Sequence, residues 1–207
     1  MKLALVASAF AVIALASAAT AQTPGLDDAI RYSDETALEA HASTPALEAT
    51  LARGVLAALR GQNEVAIEAL SAAASDIRIN RTLRRDAWIS LAGVYGRQGA
   101  YADALRTLLF AETTAPARDE EAARDAVQTL RFMRVVQNEE AMRRAGTRLG
   151  RVAIEYDMAS LPRAHVTINN REQVAVLDTG ANFSTVTEST ARRMRLRMLP
   201  GEIGVGA

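Results

Sequence analysis

The sequence predicts an α+β chain in two unlike parts, an all-helical N-terminal region and a C-terminal region of short strands. From Leu26 to about residue 150, apolar residues recur at three- and four-residue spacing, the period of helices buried on one side. Beyond Gly150 the period drops to two in "RVAIEYD" (Arg151–Asp157), "RAHVTIN" (Arg163–Asn169) and "EQVAVLD" (Glu172–Asp178), the alternation of half-buried strands. No Pro/Gly-rich linker lies between the two parts, so the change of period alone sets the boundary near Gly150.

The first element precedes both parts. In "MKLALVASAFAVIALASAATAQ", Lys2 is followed by an uncharged apolar run that ends in Ala19-Thr20-Ala21, the layout of a secretory signal with an A-x-A cleavage site. The run from Leu3 to Ala19 is short, and rich in Ala and Ser, for a membrane span of about 20 residues. Cleavage after Ala21 is expected, giving a mature chain that is periplasmic or secreted and not membrane-bound.

Composition narrows the function classes. The 24 basic and 24 acidic side chains balance, so no global field invites nucleic acid. There are no cysteines, which excludes disulfides, thiolate catalysis and cysteine-ligated metal. His41 and His165 are too far apart for a histidine metal motif, and neither metal nor cofactor is expected.

Residues 22–150 are expected as helices broken at Thr44-Pro45, Gly61, Gly99 and Pro116. Asp27 and Asp28 near one helix start, and Asp119, Glu120 and Glu121 near another, place carboxylates at the positive end of the helix dipole. Within this region Trp88, Leu91, Ala92, Tyr95, Ala104, Leu108, Ala111 and Pro116 fall at spacings that resemble the tetratricopeptide repeat signature. Ala92 and Ala104 are small where two helices would touch, Trp88 and Tyr95 would fill the groove between them, and Pro116 would stop the second helix. "GQNEVAIEAL" (Gly61–Leu70) resembles "GAYADALRTL" (Gly99–Leu108) and implies a degenerate earlier unit. Helices near Glu120–Val136 and Glu139–Leu149 are expected as a third pair. The resemblance implies a short helical-repeat array able to bind a protein partner.

In the C-terminal region Asn169-Asn170 reads as a tight hairpin turn, because Asn tolerates positive φ. The second strand of that hairpin runs into "LDTGANFSTVTESTARRM", which resembles the signature of the retropepsin-like, single-domain aspartic proteases. The resemblance spans roughly Val152 to Ala207. It implies an all-β acid-protease-like domain over 151–207 with Asp178 as the catalytic aspartate and Thr179, Gly180 and Ala181 as its supports. "ESTARRMRL" matches the short helix that follows, with Arg195 standing where such sequences commonly carry glycine.

The chemistry accounts for the residue types. Peptide hydrolysis by this class uses two aspartates close enough to share one proton, because contacting carboxylates cannot both ionise cheaply. One is base toward a bound water while the other polarises the scissile carbonyl. A dry setting is expected from Val174, Val176, Leu177, Phe183 and Val186. Asp-Thr-Gly occurs once, so the resemblance implies a homodimer with one aspartate from each subunit. Twenty-nine residues follow Asp178, fewer than such a domain needs, so the expectation is a domain incomplete at its C-terminus whose own activity is open. His41 and His165 read as ordinary histidines, and Arg192, Arg193, Arg195 and Arg197 as a solvated face. The alternative to an endopeptidase is a non-enzymatic exported helical-repeat module that binds a partner protein.

Overall fold

The computed structural model describes residues 23–141, 151–178 and 184–200. Among them are eight helices and one three-stranded antiparallel sheet. The chain is α+β, mostly helical, with helix giving way to strand between Val136 and Glu155. The signal-like segment 1–21, most of the expected helix Glu139–Leu149, and Thr179, Gly180, Ala181 and Phe183 lie outside the described residues.

The helices are α1 (Leu26–Arg31), α2 (Glu35–Ala42), α3 (Ala49–Leu59), α4 (Asn63–Ser75), α5 (Arg81–Gln98), α6 (Tyr101–Thr114) and α7 (Glu120–Val136). Short polar side chains build the starts of α2, α5 and α7. Asp34 accepts from the Ala37 N–H at 3.0 Å, Asn80 from the Thr82 N–H at 2.8 Å and Asp119 from the Ala122 N–H at 2.8 Å. The ends of α1, α3 and α5 repeat one device. After α3 the Gly61 and Gln62 amides donate back to Ala58 and Ala57, and after α5 the Gly99 and Ala100 amides donate to Gly96 and Tyr95. These are the paired bonds of a Schellman motif, with glycine at φ +70° and +74° in the left-handed position. Ser33 closes α1 by the same bonds at φ 51°, without a glycine to announce it.

Each helix packs on its successor from α1 to α7, and α3 also meets α5. The short α1–α2, α3–α4 and α5–α6 connections make helical hairpins. Alanine sets the spacing: Ala52, Ala66, Ala74, Ala87 and Ala104 are fully buried. At Gly54 α3 and α4 approach closely, since an added Cβ would lie 2.8 Å from Leu70 Cγ and 3.0 Å from its backbone nitrogen. A larger core around Leu38, Leu51, Leu70, Leu91 and Val94 joins α1 to α5, and a smaller one around Leu105, Leu108 and Met133 joins α6 to α7. Trp88 and Tyr95 are half-buried against the larger core, and the Trp88 ring is met by Phe110 at 5.3 Å between centroids.

In the C-terminal part, β1 (Glu155–Tyr156) pairs with β2 (Pro162–Ile168), and β2 with β3 (Arg171–Val176), in spatial order β1-β2-β3. Asn169 and Asn170 both have positive φ, 48° and 60°, as a two-residue hairpin turn of the primed type requires. The β1–β2 loop is held by Asp157, whose carboxylate accepts from the Ala159 and Leu161 amides at 2.9 Å and from Arg163. β1 is shorter than its alternation suggests, leaving Arg151–Ile154 outside the ladder. Helix α8 (Glu188–Arg193) is started by Thr187, whose hydroxyl oxygen accepts from the Thr190 N–H at 3.2 Å. It is tied to the hairpin by Asn169 Nδ2 donating to the Met194 carbonyl at 2.9 Å and Arg193 donating to Gln173 at 2.7 Å. An Arg197–Glu139 ion pair links this part to the residues after α7.

Candidate active site

Asp178 stands just beyond β3. The ladder carries one residue past the strand, through the Leu177 N–H donating to the Pro162 carbonyl at 2.8 Å, and Asp178 follows. The hairpin register therefore fixes where the carboxylate emerges. Arg163 opposes Val176, His165 opposes Val174 and Thr167 opposes Glu172, so these residues share one face of the sheet. Ala164, Val166 and Ile168, opposite Ala175, Gln173 and Arg171, share the other. Gln173 belongs to this second face, and its bond from Arg193 brings α8 to that side. Ala164 there is buried, as are Ala191 and Met194 of the α8 segment.

The first face is open. Val174 and Val176 on it are 40% and 47% exposed and Asp178 beyond them is exposed, as are Leu177, which has the parity of the other face, and Val186. Among the described residues the expected dry enclosure of Asp178 does not form, and Phe183 lies outside them. The reason is geometric: a pleated strand sends alternate residues to opposite faces, and α8 supplies cover to one of them. Of the four residues singled out by sequence, Asp178 is placed at the sheet end, while Thr179, Gly180 and Ala181 fall outside the described residues.

Arg195 has a definite role in the local backbone. The Arg195 amide donates to Arg192 and the Leu196 amide to Ala191, the Schellman bonds again, with Arg195 at φ 55°. Glycine is the ordinary occupant of that position because it alone enters the left-handed region without a Cβ penalty. The departure noted in the sequence is therefore a strained arginine in a turn that forms all the same. His165 is exposed on the open face, and His41 Nε2 donates to the Pro24 carbonyl at 2.8 Å.

A second cluster of charge was not singled out from sequence. Arg85 and Asp86 are both buried on α5, Arg85 pairing with Glu112 at 2.7 Å and Asp86 with Arg118. Burial pushes the Asp86 carboxyl above its ordinary range, opposed by the Arg118 charge. The only signal was "RRD" placed one residue before Trp88, inside a helix otherwise read by its apolar positions.

No family model matches the chain, and no curated protein or solved structure matches it. Among the described residues no group of three or more His, Cys, Asp or Glu could hold a metal ion, and no helix is long and apolar enough to cross a membrane.

Proposed function

We propose that the chain is the subunit of a dimeric aspartic-type endopeptidase, exported by its N-terminal segment, in which Asp178 is the catalytic carboxylate. The observation that carries this reading is the position of Asp178 at the open end of a hairpin whose uncovered face bears Val174 and Val176. Exposed valines beside a carboxylate on one sheet face fit a surface that another chain covers. A second copy related by a two-fold axis would cover it and bring a second Asp178 opposite the first. The two carboxylates would then hold one proton between them, one activating water and the other polarising the peptide carbonyl. Thr179, Gly180 and Ala181 would brace the loop that carries the pair. Neither metal nor cofactor has a part in this chemistry, and the substrate is a peptide or protein. The N-terminal helices, read as tetratricopeptide-like repeats, would recruit it.

The test is cleavage of an unstructured protein substrate at mildly acidic pH by the chain lacking residues 1–21, beside Asp178→Asn, with molecular mass measured in the same buffer. The reading expects a dimer, and a loss of about 10²–10⁴-fold in the variant, the usual span for removing a general acid–base group. Cleavage unaffected by Asp178→Asn removes that residue from the mechanism.

A second reading, a non-enzymatic module binding a partner protein through its helices, is favoured by one observation. Both buried helical cores lie in α1 to α7, whereas the described strand region exposes most of its apolar side chains. A monomer that cleaves nothing in either form supports it.

A further inference from the structure

Between α1, α5 and the first turns of α7 lies a cavity of about 370 Å³, within the range of small-molecule sites. Three arginines line it, Arg31, Arg85 and Arg118, against five carboxylates. Most of these charges are matched. Arg118 meets Asp86 and Asp27, and Arg31 meets Asp119 at 3.7 Å. Two carboxylates remain, Glu121 and Asp125, one helical turn apart on α7, exposed and without an ion-pair partner among the described residues.

Opposite in character is Arg85. Its residue is only 3% exposed, its Nη2 donates to Glu112, and its Nε–H has no acceptor among the described residues. Arg85 is in the cavity lining and Glu112 is not. A buried donor left without an acceptor is rare in folded proteins and calls for an explanation. Ile30, Ile89 and Ala122 supply the apolar part of the wall.

We propose that this cavity binds a small zwitterion, of the size of an amino acid or dipeptide, with its carboxylate toward Arg85 and its cationic group at Glu121 and Asp125. A carboxylate is the acceptor a guanidinium takes best, because its two oxygens match the fork of N–H groups. An ammonium or guanidinium group answers the excess negative charge on α7. A simple anion would face that excess unaided, and a metal ion finds no cluster of three ligands among the described residues. A long peptide is disfavoured by α1: the Asp27–Arg118 and Arg31–Asp119 ion pairs fasten this helix across one side of the cavity. The proposal is independent of Asp178 and of peptide cleavage.

Titration calorimetry of the full chain with the dipeptide lysyl-alanine, at neutral pH and low salt, tests it. Saturable one-to-one binding is expected. The same dipeptide as its C-terminal amide should bind at least about tenfold more weakly, the scale of losing a charge-assisted hydrogen bond. The double variant Glu121→Gln/Asp125→Asn changes only exposed side chains, so its fold can be verified by circular dichroism. It should weaken the free dipeptide by a similar factor. Arg85→Met should abolish binding, and where that variant fails to fold, the amide comparison answers the same question. Absence of binding up to about 10 mM, beyond the weakest affinity worth calling a site, overturns the proposal. Equal affinity for acid and amide, or for wild type and the double variant, overturns it too.

Discussion

Gly61 and Gly99 stand in the same motif with different surroundings, and substituting each by alanine separates two energies that usually arrive together. Both have left-handed backbone, φ +70° and +74°, and both donate to the carbonyl three residues back. An L-residue in that region costs about 1–2 kcal/mol, partly offset by about 0.4–1 kcal/mol because alanine restricts the unfolded chain more than glycine. At Gly61 an added Cβ meets nothing within 4 Å, so Gly61→Ala should destabilise by about 1 kcal/mol and no more. At Gly99 the same Cβ would lie 2.2 Å from Ala141 Cβ and 2.6 Å from Ala141 Cα. The second atom is backbone and cannot rotate away, so an overpacking term of about 1–3 kcal/mol adds, giving about 2–4 kcal/mol for Gly99→Ala. Urea unfolding followed by far-UV circular dichroism measures both, provided the m-value is unchanged. Adding Ala141→Gly to Gly99→Ala removes the 2.2 Å contact and leaves the 2.6 Å one, so rescue should be partial. Equal destabilisation at Gly61 and Gly99, within about 0.5 kcal/mol, would show that the residues after α7 do not rest on the α5–α6 turn.

Arg195→Gly should stabilise the strand region by about 0.5–1 kcal/mol, since it relieves a left-handed arginine and keeps the backbone oxygen that Asn169 binds; the same urea measurement checks it, and a loss of stability contradicts it. The Asp157 carboxyl is held below its ordinary range, first by the Leu161 N–H and then by Arg163. Its folded-state value therefore lies under its unfolded one, so its contribution is present above the ordinary carboxylate pKa and is lost as pH falls through the lower folded value. Carbon-13 NMR of that carboxyl should show a midpoint below 3.8, and a midpoint at or above it removes the claim.

Much of the fold was legible where one residue type alone fits a backbone need. Gly61 and Gly99 mark helix ends because left-handed backbone favours glycine. Asn169-Asn170 marks the hairpin for a related reason, and Asp119 marks the start of α7 because its carboxylate reaches the free amides. Where a less suited residue takes the same conformation, the text is silent: Ser33 and Arg195 close α1 and α8 with the same bonds and no distinctive letter. Burial of charge was equally hidden. Arg85 and Asp86 lie inward because Glu112 and Arg118 meet them from 27 and 32 residues away, and local periodicity carries no trace of partners so distant.

Asp178 shows where pattern and structure part company. Apolar Val174, Val176 and Leu177 ahead of a carboxylate read as its own core, yet alternation states only that a face is apolar, not which chain covers it. In the hairpin, α8 reaches the face of Ala164 and Gln173, while Val174 and Val176 point to the other and are exposed. Two carboxylates compete for one proton only where they meet with water displaced from between them. On the proposed mechanism, dimer formation and creation of the catalytic environment are therefore a single event. Activity per chain should fall on dilution through the dimer dissociation constant, and a rate per chain that stays constant across that range would separate catalysis from pairing.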